Sequence, residues 1–215
     1  MNVELSDLLT CPRCGPTYGL VLLPYESEDR RVRSGVLGCA NCRERYAIEG
    51  GVADLRVGDP DPDPDRESDP DPEGEPPAEP AVRLAGLLGL AEARGAVLVA
   101  GPEAARAADL SALVEGVEVV AVTDREPGVG PGEAGGGGVS RVRIDRVIPF
   151  RSGSLRGVAL TGGWSSLVEE GARVLGREGR LVLAPSPVGV AERLAEAGLR
   201  VVAAEAGVVV AVRSP

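Results

Sequence analysis

Apolar residues are distributed along this chain in two regimes. Near the start they come in short bursts separated by charge and glycine. Leu20-Val21-Leu22-Leu23 and Val32–Leu37 flank the charged stretch Glu26–Arg31, which predicts two strands joined by a turn. Tyr46-Ala47-Ile48, Glu49-Gly50-Gly51 and Val52-Ala53-Asp54-Leu55 repeat the pattern on a smaller scale. From Ala81 onward the period switches between helix and strand. Ala81–Ala93 is leucine-rich and predicts a helix, and Ala96–Ala100 is the continuous apolar run of a strand covered on both faces. Pro102–Val114 predicts a helix opening on proline, and Val117–Val122 a second strand ending at Thr123-Asp124. The glycine-rich Glu126–Gly138 predicts a mobile loop. Val142–Ile144, Gly157–Leu160 and Leu181–Ala184 read as strands, and Trp164–Leu175 and Val188–Ala197 as helices. Val201–Ala204 and Val208–Val212 read as a closing antiparallel pair. The fold class expected is α/β, a small β unit followed by a doubly wound sheet.

The four cysteines all fall in the first regime, as Cys11-Pro12-Arg13-Cys14 and Cys39-Ala40-Asn41-Cys42. Two C-x-x-C knuckles about two dozen residues apart suit one tetrahedral ion, because the two-residue spacer lets both sulfurs of a knuckle reach a metal about 2.3 Å away. Gly15–Gly38 can run out and back between them. Four sulfurs leave no open position, so the expected metal is a structural zinc on Cys11, Cys14, Cys39 and Cys42. Two redox dithiols or a disulfide pair are the competing readings.

Composition narrows the chemistry. The chain has no histidine, lysine or glutamine. Ser-His-Asp and Cys-His catalysis, histidine-ligated metals, the phosphate-loop lysine and Schiff-base lysines are therefore excluded. Its net charge of −10 is concentrated in Asp59–Glu79, which carries ten carboxylates and one arginine. The Asp-Pro repeats there hold φ near −65° and repel one another, predicting an extended spacer. A charge-mimic of nucleic acid is the weaker reading of that run. Without basic stripes or interleaved aromatics, no direct nucleic-acid binding is expected. Met1–Thr10 carries Glu4 and Asp7 and lacks a basic leader, and no apolar run matches a membrane span. A cytoplasmic protein is expected, with a ribbon at 1–57, a linker at 58–80 and a larger domain at 81–215.

The order Cys-Pro-x-Cys, hairpin, Cys-x-x-Cys, then Tyr46-x-Ile48 and Gly50-Gly51 resembles the small zinc-ribbon family that activates methyltransferases. A generic rubredoxin-like ribbon is the alternative. Members of the activator family bind and solubilise enzymes acting on transfer RNA, ribosomal RNA and release factors. The resemblance implies a protein partner, a methyltransferase or a translation factor.

The second regime resembles a class I S-adenosylmethionine-dependent methyltransferase, with a Rossmann-like sheet. Gly95–Ala105 stands where the family's first glycine loop would be, and Val119–Asp124 resembles its second strand. Asp145-Arg146-Val147-Ile148-Pro149-Phe150 resembles its "acid, two residues, apolar-Pro-Phe" passage, and Val168–Leu183 its following helix, turn and strand. The resemblance implies that Gly101, Asp124 and Asp145 contact S-adenosylmethionine, the two acids at ribose and adenine.

The departures cluster at that site. Where the family has an acid and alternating glycines, this chain has Val99, Gly101, Glu103 and Ala105. Glu103 would place a carboxylate at the helix start that faces the cofactor's own carboxylate. Leu160-Thr161-Gly162-Gly163-Trp164 lacks the Asn/Asp-Pro-Pro-aromatic signature of amino-group methylation, and Trp164 is expected to pack rather than stack on a substrate. The expected function is an activator-like zinc ribbon fused to a degenerate methyltransferase-like domain, a binding or regulatory pseudoenzyme. An active methyltransferase with an atypical loop is the alternative. A relation to zinc-fingered ribosomal-RNA guanine methyltransferases is disfavoured, because those use a histidine ligand and a shorter ribbon.

Overall fold

The computed structural model describes residues 1–58, 78–123, 138–145 and 147–214. The Asp-Pro run, Asp124 and nearly all of the glycine-rich stretch lie outside the described residues, and so do the expectations placed on them.

The chain opens with a short 3-10 turn, Val3–Asp7, capped by the Asn2 side chain. Strands β1 (Leu20–Glu28) and β2 (Arg31–Cys39) then form a hairpin. Its two central residues, Asp29 and Arg30, have φ of 47° and 64°. That is the mirror-image turn that matches the twist of the flanking strands. The charged stretch expected as a turn is thus mostly strand, because an edge strand can carry charge without burying it. β3 (Arg45–Glu49) pairs with β2, and β4 (Val52–Asp54) folds back on β3 through Gly50 and Gly51.

The second half supplies β5 (Gly95–Ala100), β6 (Val117–Val122), β7 (Val139–Arg143), β8 (Leu155–Thr161), β9 (Leu175–Ala184), β10 (Leu199–Glu205) and β11 (Val208–Arg213). Its strand order is β7-β6-β5-β8-β9-β11-β10. β7 through β9 run parallel, while β11 is antiparallel to both neighbours. The expected doubly wound sheet is present. Within β5 alternate residues serve opposite faces. Val97 and Val99 pack with α1 (Ala78–Leu88) and α2 (Ala107–Leu113), while Leu98 and Ala100 pack with α3 (Val168–Val174) and α4 (Val190–Glu196).

Among the described residues, all four helices are shorter than the hydropathy pattern predicts. α1 stops at Leu88 because Gly89 turns left-handed (φ 65°), and the Leu90 amide caps the Ala85 carbonyl at 3.1 Å. Pro102–Arg106 and Gly162–Ser166 are 3-10 turns that precede α2 and α3 rather than parts of them.

The two halves are not independent bodies on a tether, as the spacer led one to expect. β4 pairs in parallel with β7, aligning Val52 with Arg141 and Asp54 with Arg143. Among the described residues, eleven strands therefore form one sheet. One apolar core continues across the join, from Leu9, Leu37, Ile48 and Leu55 into Ile144, Ile148, Phe150 and Leu160. A polar cluster seals it. Arg31 makes a two-pronged pair with Glu118 of β6 at 2.6 and 3.0 Å. Ser140 and Asn2 both donate to the same carboxylate, at 2.6 and 3.0 Å.

Candidate functional site

All four sulfurs lie within 4.8 Å of one another. Cys11 and Cys42 are 3.7 Å apart, and Cys14 and Cys39 are 3.9 Å apart. Tetrahedral geometry with a metal–sulfur bond of about 2.3 Å requires sulfur separations of about 3.8 Å, so the set fits a four-thiolate ion. Two similar knuckles produce it. In each, the residue four after the first cysteine turns left-handed and donates its amide to that cysteine's carbonyl: Gly15 to Cys11 and Arg43 to Cys39, both at 2.9 Å.

The groups around the sulfurs favour negative charge. Asn41 donates a side-chain hydrogen bond to Cys14 at 3.3 Å, and the buried Tyr46 hydroxyl lies 3.4 Å from Cys11. Burial raises the Cys39 thiol, but the Cys42 and Asn41 amides outweigh it and lower it to about 7. The Glu44 amide favours a Cys42 thiolate, yet burial and the sulfurs of Cys14, Cys39 and Cys11 push it up to about 12. A cation at their centre would instead favour all four thiolates. Tyr46 entered the sequence reading only as part of a motif. Its closeness to Cys11 depends on the β2–β3 pairing and could not be seen in the sequence.

The second candidate region lies at the carboxyl end of β5, where the strand order reverses toward β8. Ligands of open parallel sheets sit outside the strand ends at such a switch point. Gly101 is there, with φ 83° and ψ −157°. A Cβ on it would stand 2.1 Å from the Thr161 carbonyl oxygen at the end of β8. Thr161 also donates its hydroxyl to the Ala100 carbonyl at 2.8 Å and accepts the Glu103 amide at 3.4 Å. The loop is pressed onto the neighbouring strand, and its one retained glycine answers to that contact.

The segment after Gly101 is a poor anion seat as well. It begins with Pro102, which has no N–H, and stays a 3-10 turn for five residues before a seven-residue helix. Glu103 stands at the start of this turn, where the sequence places it. Its carboxylate pairs with Arg106 at 2.9 Å. Trp164 is buried, as a packing residue should be.

Asp145, the expected adenine contact, accepts the Val57 amide at 3.0 Å. Just before it, the Leu55 amide donates to the Arg143 carbonyl at 2.8 Å. The tail of the small β unit thus runs past the carboxyl end of β7, where the ligand face begins. Asp54 anchors the tail through Arg56, whose Nε donates to it at 2.8 Å, with the buried Arg143 guanidinium 3.4 Å away. Burial alone would raise the Asp54 carboxyl, but Arg56 and Arg143 hold it below the usual carboxylate range. Asp124, the expected ribose contact, lies outside the described residues. Of the three expected cofactor residues, the structure brings Gly101 and Asp145 to the carboxyl face of the sheet and engages each with the chain's own backbone.

No protein-family model matches the chain, and no curated protein does. Solved structures similar to it include methyltransferases. An O-methyltransferase family protein from Burkholderia thailandensis is 15% identical, over 64% of this chain and 56% of that one, with a TM-score of 0.47. The 1,6-didemethyltoxoflavin-N1-methyltransferase of the same organism is 19% identical over 64% and 78%, at 0.43. The [4+2]-cyclase SpnF is 14% identical over 59% of this chain, at 0.46, and the chain spans 58% of its length.

Proposed function

We propose that this chain is a binding or regulatory protein, a zinc ribbon fused to a methyltransferase-type domain that has lost its cofactor site. The observation that carries the reading is the closed switch point. S-adenosylmethionine would need the loop after β5 to stand away from β8, and instead Gly101 lies so close to Thr161 that even a methyl group would collide. The short, proline-led turn after it offers no row of free amides for the methionine carboxylate.

In this reading zinc sits on Cys11, Cys14, Cys39 and Cys42 as a closed structural ion, which holds the two knuckles together and leaves no position for substrate. The thiols require a reducing compartment such as the cytoplasm. Among the described residues no helix is long and apolar enough to cross a membrane. The activator-like role is then exercised within the chain, since β4 pairs with the edge of β7. A protein partner, a methyltransferase or translation factor, would engage a different surface.

Titration calorimetry of the zinc-loaded chain with S-adenosylmethionine tests the reading. Binding should be undetectable or weaker than about 100 μM. A low-micromolar dissociation constant would promote the alternative, an active methyltransferase. Elemental analysis should give one zinc per chain, and metal-free protein purified without chelator would remove the ribbon's part of the proposal.

A further inference from the structure

The cysteine cluster is wired to a loop of the other half. Thr10, next to Cys11, donates its amide to the Pro149 carbonyl at 2.9 Å, and Arg151 donates back to the Leu8 carbonyl at 2.9 Å. Leu9, between them, bridges to Phe150, and both side chains are fully buried. From the other knuckle, β2 leads through β3 to β4, whose tail reaches Arg143 and Asp145. Asp145 and Arg151, on either side of the connection between β7 and β8, are therefore both held by chain that the cysteines position.

We infer that metal loading at the four cysteines sets the position of Ile148–Arg151, after β7, making the site a clamp on the ligand face of the sheet and not only a staple for the ribbon. The inference rests on the metal reading above, and it concerns residues outside the ribbon. Its physical basis is the absence of slack. Leu9 and Thr10 precede Cys11 directly, and both are buried against the loop, so the first knuckle cannot open without shifting Pro149 and Phe150. The loop's other fastenings lie within its own half. Arg173 donates to the Ile148 and Phe150 carbonyls at 2.6 and 2.7 Å, and Glu170 accepts the Ile148 amide at 2.9 Å. These anchor the middle of the loop to α3, Ser154 donates to the Arg151 carbonyl, and the ribbon adds its bonds at Asp145 and the Arg151 amide.

Amide hydrogen exchange on the full chain tests the clamp, comparing protein whose zinc content has been measured with the same protein stripped by chelator under reducing conditions. Stripping should speed exchange at Leu55, Val57 and Arg151 by at least about tenfold. The central amides of β8 and β9, such as Val158 and Leu181, should speed up by a clearly smaller factor, set by the lower stability of the whole chain, and zinc should restore the original rates. The clamp is overturned if only the knuckle amides respond, or if β8 and β9 speed up by the same factor. Protein that never held zinc would instead refute the metal reading itself. Val57→Pro provides a test that keeps the metal. It removes the donor to Asp145 and should speed exchange in the loop while zinc content and knuckle amides stay as they were. An unaltered loop in that variant would equally overturn the inference.

Discussion

The cysteine cluster and the loop after β5 both sit at strand ends, and both are announced by a short residue pattern. They differ in what the pattern must supply. A thiolate site needs four side chains at the right separations, and here a hairpin brings the two knuckles together. A cofactor loop needs the opposite, a backbone held away from its neighbours so that something else can fit. In this chain the sulfurs stand 3.7 and 3.9 Å apart, while Gly101 lies against Thr161, so on the proposed reading only the first requirement is met. A ligand set can be read from residue types. An open space depends on the packing around it.

The sharpest way to break this contrast is to remove the metal. Structural zinc binds zinc-finger peptides with apparent free energies of about 10–16 kcal/mol, all of it available to folding. Chelation or Cys39→Ser should therefore lower the urea midpoint of the whole chain, since β4 and β7 share a sheet. Two independent bodies would show a separate transition for the ribbon and an unmoved one for the rest. An unchanged unfolding curve after stripping would mean that the cysteines hold no stabilising ion.

The next largest effect comes from the other region. Gly101→Ala forces a methyl group toward a backbone carbonyl at a left-handed φ, so a cost of about 2–5 kcal/mol is expected without any ligand present. Denaturant titration measures it. If the glycine were kept only to admit a cofactor, the substitution would leave stability unchanged and alter ligand binding instead.

Much of the molecule was legible from the chain itself, and the exceptions share a cause. The knuckles, the alternation of strands and helices, and the closing pair of strands are local patterns, and they stand in the structure. The parallel pairing of β4 with β7 is non-local. Val52-Ala53-Asp54 reads as a tail in sequence, because nothing in three residues says which strand it will join. The same holds for Arg31, Glu118, Ser140 and Asn2, four ordinary polar residues that meet only after both halves fold. The overlong helices failed locally. Leucines at helical spacing outvoted Gly89, and the helix expected from Trp164 onward begins instead with a 3-10 turn.

That polar cluster supports a third prediction. Arg31→Met removes the cation from a partly buried carboxylate that also accepts two neutral hydrogen bonds. Stranding Glu118 should cost about 1–3 kcal/mol. A double-mutant cycle with Glu118→Gln should recover part of the loss, whereas strictly additive effects would show that the pair is not coupled across the join.

The smallest effect expected is a pH dependence at the ribbon's tail. Asp54 is ionised beside Arg56 and Arg143, and its folded-state pKa lies below its unfolded value of about 3.9. Between the two values the unfolded chain binds more protons, so stability rises with pH there. The contribution is fully present above the unfolded pKa and is lost as pH falls through the folded one. Asp54→Asn keeps the shape of the side chain and removes the charge. The variant should be less stable than the parent near neutral pH, by about 1 kcal/mol or less, because the pair is partly solvated. The two denaturation curves should then converge as the solution is acidified below the folded pKa, where the parent has also lost the charge. A gap that stays constant down to acid pH would show that the asparagine acts by misfitting the turn, and that the charge of Asp54 does not hold the tail against β7.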